Sequence, residues 1–438
     1  LGYPAPILTN WNKTFDDPNV KFGGSHIAKI SGVLEYLDAA TSNDANPADR
    51  LAEDDLVLMV DAYDVWFQLP PAVLLRRYHE TNQRANARLA HQWGNSGGMP
   101  WKQTIIASSQ ERCFPDNGRP AELHCDAIPE SPMREDLYGD NTDDPWDITY
   151  HHTRPRFANS GTIMGPVGDM RRLLRRLSDK AARANAAGLT VYSDQGLLGE
   201  VFGEQSVWRN LREQWNREPV GVPEEVLVMM QDAWEYHIGV DYNQGLYVST
   251  FYQKHDGHIM RLNDTEAIHR TSKSLNVSPT RVEGIPDDLR GIPNPLLQLG
   301  EDVFSEAELD WSAMPLYVDF YTAAVPVILH HNGAKKRRTT WWNQTWFFSH
   351  IRDLVEHHIQ PRELEPLARV PSTDGELVYW PPSSNTKKRR ARVFHQEAIR
   401  EDGLDELGFT EVCKFMGETD LSARHWYDEV LRDGKGAL

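Results

Sequence analysis

Cysteine is scarce. Cys113, Cys125 and Cys413 are the only ones in 438 residues, an odd and low number that excludes a disulfide-built scaffold. No cysteine/histidine group has zinc-finger spacing. Long hydrophobic runs are missing too, so no stretch is long and apolar enough to cross a bilayer, and no membrane contact is expected within the segment. Positive charge is in deficit. A formal net charge of -18 argues against nucleic acid or an anionic membrane as the main partner, and any phosphate site must be a local basic pocket. There is no Walker pattern, no G-x-S-x-G elbow, no H-E-x-x-H helix, no kinase signature set and no internal repeat.

What is there is a length of 438 residues with the composition of an ordinary globular protein, enough for one large domain with an appendage, or for two domains. Apolar runs alternate with helical patterns. The run at 56–60 is continuous and reads as a buried strand, of the kind common in parallel sheets. Thr104-Ile-Ile-Ala-Ser and Val325-Pro-Val-Ile-Leu read as further strands, and 157–165 as a turn and short strand. Ile27–Leu37, Ala72–His79, the segment bearing Met170, Leu173, Leu174 and Leu177, and the segment opening at Asp194 read as helices. Residues 111–155 read as a long surface excursion and 263–312 as a Pro/Gly-rich connection. Beyond about residue 345 the pattern turns helical and charged. Strands alternating with helices indicate an α/β sheet covered on both faces.

The informative feature is where the 56–60 run stops. It ends in Asp61-Ala62-Tyr63-Asp64. Hard oxygen ligands at the end of a strand can hold a divalent cation, and the cation a diphosphate. A pair of turn-forming aspartates would look the same. Another apolar run ends in His330-His331-Asn332-Gly333, followed by Lys335-Lys336-Arg337-Arg338. An imidazole joined to two carboxylates suits Mn(II) better than Mg(II) or Ca(II), and the glycine and basic residues suit phosphates. Asn159-Ser160-Gly161 precedes a strand, and Asp194-Gln195 opens a helix. Asp194 there is either a helix-dipole partner or a carboxylate facing a reacting group. A Gly23-Gly24-Ser25 turn with Lys29 can bind phosphate at a helix start. The sequons at Asn12, Asn263, Asn276 and Asn343 lean toward a secretory compartment.

In this order, these pieces resemble the glycosyltransferase domain of procollagen lysyl hydroxylases and the related procollagen galactosyltransferase-like proteins. They look closer still to fungal relatives sharing Gly-Tyr-Pro-Ala-Pro and Tyr-Asp-Val-Trp-Phe-Gln-Leu-Pro-Pro. The most specific motifs are 60–65, 157–165, 193–195 and 330–336. The resemblance implies a GT-A, Rossmann-like fold over residues 1–345, a mixed but mostly parallel sheet with helices on both faces. A C-terminal helical or irregular extension over 346–438 lies outside it. It implies a luminal (Golgi or ER) or secreted hexosyltransferase that moves glucose or galactose from a UDP-sugar to a hydroxyl of a glycan or glycoprotein, with Mn(II), or alternatively Mg(II). Asp61, Asp64 and His330 would ligate the metal. Tyr63 would stack on uracil, and Lys29, Asn332, Gly333 and Lys336 would lie along the diphosphate. Asn159, Asp194 and Gln195 would line the sugar and acceptor side.

There are departures. The family's first strand and helix have no counterpart, and residue 1 is Leu, which reads as a trimmed segment from which a signal or anchor could have been removed. His331 replaces the family's glycine, at a place where it would crowd the phosphates. These departures motivate the alternative of a catalytically silent nucleotide-sugar- or glycan-binding protein.

Overall fold

The computed structural model describes residues 1–16, 20, 24–94, 99–115, 123–144, 146–147, 149–217, 223, 225–226, 234–300, 303–333, 335–361, 363–372, 375–382, 390–395, 399, 403–412 and 425–438. It is mixed α/β, with several small sheets and helices packed around them. In chain order the elements that matter here are β1 (Ile7–Leu8), α1 (Ser25–Ala40), β2 (Leu56–Val60), β3 (Val65–Phe67), α2 (Pro71–Trp93), β4 (Ile105–Gln110) and β5 (Phe157–Pro166). Next come α3 (Val167–Ala186), α4 (Asp194–Arg217), β6 (Ile238–Val240), β7 (Tyr247–Ser249), β8 (Gly257–Arg261), α5 (Thr265–Ser274), β9 (Pro315–Asp319) and β10 (Ile328–His330). Last are β11 (Ala368–Ser372), β12 (Gly375–Tyr379), β13 (Ala391–Val393) and β14 (Asp405–Leu407).

The main sheet has the order β2-β5-β4-β6. Side chains alternate across it, as a period of two requires. Met59, Ile105, Ala107 and Ile163 enter one core with α1, α3 and α4. Ile106 and Met164 enter the other, with Leu74 and Tyr78 of α2. Helices therefore cover both faces, and a strand apolar on both sides is the result. α2 starts at Pro71, where the missing N–H costs nothing. A second sheet, β3-β10-β7, joins the two motifs that end in Asp64 and His330.

The expectation of a mostly parallel sheet fails. Only β4/β6, β7/β10 and β1/β13 run parallel among the described pairings; β2/β5, β4/β5, β3/β10, β8/β9, β11/β12 and β13/β14 are antiparallel. A continuous apolar run reports burial on both faces, and burial does not encode strand direction. The 263–312 stretch contains α5, started by the Asp264 side chain accepting from the Ala267 N–H at 2.9 Å. The surface excursion buries Ile128, Leu137 and Tyr138.

In the segment after 345, among the described residues, the helices Ile351–His358, Phe409–Val412 and Trp426–Val430 are joined by the β11/β12 hairpin and the β13/β14 pair, which the sequence pattern did not announce. Its Ala368 and Val370 complete one core, and its Phe394, Ile399 and Leu404 complete the other. A buried Arg392–Asp49 ion pair ties it to the loop after α1. Among the described residues no helix is long and apolar enough to cross a membrane.

Candidate functional site

Backbone pairing at two strand ends builds the site. Beyond β2, the Asp61 N–H donates to the Gly161 carbonyl at 2.9 Å, carrying the ladder one residue past the strand. In the second sheet Val65 stands opposite His330, and the His331 N–H donates to the Asp64 carbonyl at 2.7 Å. Asp61, Asp64 and His330, the first and last 269 positions apart in the chain, thus meet with ligand atoms all within 4.8 Å of one another. His330 Nε2 lies 3.6 Å from Asp61 Oδ2 and 3.6 Å from Asp64 Oδ1.

The other face of the His330 ring sets its tautomer. Nδ1 lies 3.0 Å from Asn159 Oδ1, which also accepts the Gly161 N–H at 2.9 Å. The Asn159 amide donates to Gln110 Oε1 at 2.9 Å, which fixes its orientation. Nδ1 therefore donates to Asn159, and Nε2 is the ring nitrogen that faces the carboxylates. Metal-binding histidines are oriented in this way. Gly161 is required by contact: a Cβ there would stand 2.1 Å from His330 Cε1. His330 is 3 % exposed, whereas the Asp61 and Asp64 side chains are 33 % and 30 % exposed. The cluster has a dry floor and an open mouth. Its donor set, hard oxygens plus an imidazole nitrogen, could hold a divalent cation.

Lys29 projects from α1 into the cluster. Its Nζ lies 2.9 Å from Asp61 Oδ1, 2.6 Å from Asp194 Oδ2 and 3.2 Å from the Ser160 carbonyl. Burial by itself would lower the ammonium's pKa; the charges of Asp194 and Asp61 outweigh it and hold the pKa above its ordinary value. Lys29 thus bridges the metal-type carboxylates to Asp194, which is the first residue of α4 and 4 % exposed.

The remaining expected residues are dispersed around this centre. Asn159 is buried and its side chain is spent on His330, Gly161 and Gln110, so it supports the imidazole rather than lining a sugar pocket. Gln195 turns away, its amide 3.4 Å from the Phe114 carbonyl. Asn332 Oδ1 accepts from Ser249 Oγ at 2.8 Å and from the Phe251 N–H at 3.1 Å, which ties the residues after β10 to the end of β7 and the short helix Thr250–Gln253. Gly333 lies under the Phe251 ring, where a Cβ would stand 2.3 Å from Cδ2. Tyr63 is 70 % exposed, and its carbonyl accepts from Arg338. Lys336 belongs to the short helix Lys335–Trp341, but its side chain lies outside the described residues, as does Gly23.

His331 does not crowd the cluster. Its ring packs 4.1 Å from that of Trp66 and 5.8 Å from that of Trp341. Burial, with His330, Arg337 and Arg338 nearby, pushes its pKa down to about 3, so it is neutral. Successive residues of an extended strand face opposite sides, and His331 takes the apolar one. Sequence reasoning missed Gln110, Ser249 and Phe251 as supports. Nothing in their spacing signals a role that arises only from pairing between distant strands.

Cys113, His124 and Cys125 also come together, but Cys113 and Cys125 are bonded to each other, with Cα atoms 5.5 Å apart. Their sulfurs are thus not thiolate ligands. The disulfide pins the loop whose Pro115 packs on Gly196 of α4.

Comparison of the chain with models of known protein families and with curated proteins finds no match to either.

Proposed function

We propose that the chain is a Mn(II)-dependent glycosyltransferase of the GT-A type, acting in the lumen of the secretory pathway, that moves a hexose from a UDP-sugar to a hydroxyl of a glycan or glycoprotein. The observation that carries this reading is the meeting of Asp61, Asp64 and His330 at the joined ends of two sheets. Helices on both faces of the main sheet are compatible with a GT-A arrangement. A divalent ion held there would neutralise the diphosphate as UDP departs.

The chain's own residues supply the rest. Asn159 keeps the proton on His330 Nδ1 and so keeps Nε2 basic. Lys29 holds Asp61 and Asp194 at fixed separation and offsets their charge. The exposed ring of Tyr63, between the two aspartates, offers a face for uracil. Gly333, exposed just beyond β10, would lie along the diphosphate on the side that Phe251 leaves open. Asp194 orients the acceptor hydroxyl or stabilises positive charge on the sugar carbon.

The test is UDP release from a panel including UDP-glucose and UDP-galactose, with and without Mn(II). Mn-dependent release that rises with acceptor supports the reading. Tight UDP binding with no turnover on any donor assigns the protein to a silent, binding role instead. Asp194→Asn should keep Mn-dependent UDP binding and lose transfer, by about 100-fold or more if the carboxylate acts on the acceptor proton. Surviving transfer would reduce Asp194 to a helix-start residue.

A further inference from the structure

We propose that Asn12, Asn263 and Asn343 carry N-linked glycans in the mature protein. Each opens an Asn-x-Thr triplet with no proline in the middle: Asn12-Lys13-Thr14, Asn263-Asp264-Thr265 and Asn343-Gln344-Thr345. The triplet alone arises often by chance. Three structural observations raise it above that.

The first is placement. All three asparagines are exposed and none lies within a strand or an α-helix. Asn12 sits in a turn with left-handed backbone, φ 56°. Asn263 stands between β8 and the Asp264 cap of α5. Asn343 lies in the single 3₁₀ turn Trp342–Gln344. A bulky, hydrated attachment at these points displaces no core contact.

The second is that their side-chain amides have no work to do. Several asparagines elsewhere do. Asn10 donates to the Ala28 carbonyl, Asn86 holds the Gln103 backbone, Asn294 caps a 3₁₀ helix, and Asn159 and Asn332 brace the candidate site. The amides of Asn12, Asn263 and Asn343 make no hydrogen bond among the described residues. Loss of one amide proton to a sugar linkage therefore leaves no partner unsatisfied.

The third is the Cys113–Cys125 disulfide. A bonded pair in a chain with so little cysteine fits an oxidising compartment, which is where N-glycosylation takes place. It is independent of the triplets.

The chemistry balances with one co-reactant, an oligosaccharide carried on a lipid pyrophosphate. The Asn amide nitrogen attacks the anomeric carbon and a C–N bond forms. The bond from that carbon to the pyrophosphate oxygen breaks, its electron pair leaves with the lipid pyrophosphate, and the nitrogen gives up one of its two protons. Asn276-Val277-Ser278 is also exposed but is left out of the proposal: Pro279 follows directly and restricts the backbone of Ser278.

The experiment uses the full protein isolated from its native source. Treatment with peptide N-glycosidase in ¹⁸O-water, followed by peptide mass spectrometry, should find ¹⁸O-labelled aspartate at positions 12, 263 and 343. Asn12→Gln, Asn263→Gln and Asn343→Gln, introduced singly, should each lower the intact mass by one glycan. Bare asparagines at all three positions overturn the proposal, and so does occupancy confined to Asn276. Neither outcome touches the UDP-sugar reading, which the release assay decides separately.

Discussion

Two acidic clusters in this molecule are made of the same residue types and end in opposite states. Asp61, Asp64 and Asp194 stand at the joined sheet ends with Lys29 and His330 among them. Glu111, Asp256 and Asp319 lie together in the interior, 0 %, 2 % and 1 % exposed. There the Tyr138 hydroxyl spans Glu111 Oε1 at 2.8 Å and Asp256 Oδ2 at 3.2 Å. No lysine or arginine forms an ion pair with these three among the described residues; the Arg281 guanidinium instead donates to the carbonyls of Leu137 and Tyr321. Burial, then the neighbouring acid, pushes Glu111 and Asp256 far above the carboxylate range, and burial pushes Asp319 up to about 6. In the first cluster the Lys29 ammonium offsets part of the negative charge, and in the second burial favours the protonated form. The difference lies in exposure and counter-charge, not in the number of acids.

The comparison can be broken most severely at Asp64. Asp64→Asn should weaken Mn-dependent UDP binding by more than the roughly 10–100-fold typical of outer-shell partners, with an unchanged circular dichroism spectrum. Calorimetric titration with Mn(II) and UDP checks this, and unchanged affinity would remove the cluster from the donor site. Gly161→Ala drives a methyl group into the His330 ring. It should cost about 1–3 kcal/mol in urea unfolding and reduce Mn(II) affinity along with it.

The buried cluster is tested by pH. Asp319 has a folded-state pKa near 6, above the ordinary aspartate value of about 3.9, so the folded state binds the proton more tightly. Its contribution is present at low pH and is lost as pH rises from about 4 to about 6. Asp319→Asn should flatten stability across that window relative to the parent, measured by denaturant unfolding at several pH values. An identical pH profile would mean that Asp319 is not the group that titrates. The smallest effect belongs to Tyr63→Ala, which should weaken UDP binding by about 1–3 kcal/mol, the range for base–aromatic stacking. It should leave Tm unchanged, because the ring is exposed.

Much of the local structure was legible. β2 spans the five residues of its apolar run and α4 opens at Asp194, whereas β5 runs from Phe157 through Asn159-Ser160-Gly161, which the sequence reads as a turn ahead of a short strand. Periodicity reports burial only in part: β5 is buried through most of its length, whereas β2, at the sheet edge, is partly exposed except at Met59. Strand direction was not legible, because burial does not encode it. The later hairpins were also missed. β11 and β12 are short and partly exposed, and they become strands by pairing with each other. In the site, the ligand types and their placement at strand ends were readable, while the roles of Asn159, Gln195 and His331 were not. Which way a side chain turns depends on what the opposite strand presents.

By itself the sequence determined which groups are available: carboxylates after one apolar run, an imidazole after another, a lysine at the start of a helix, and sequons in polar turns. Tertiary structure alone decided which of these groups meet. The β3/β10 register brings His330 to Asp64, the Asp61–Gly161 bond brings β5 and Asn159 beneath the imidazole, and α1 delivers Lys29 between two carboxylates. The physical reason is that side-chain chemistry is local, whereas distance, burial and counter-charge are set by pairing between segments far apart in the chain. Those three quantities separate a metal-type cluster from a buried, protonated one.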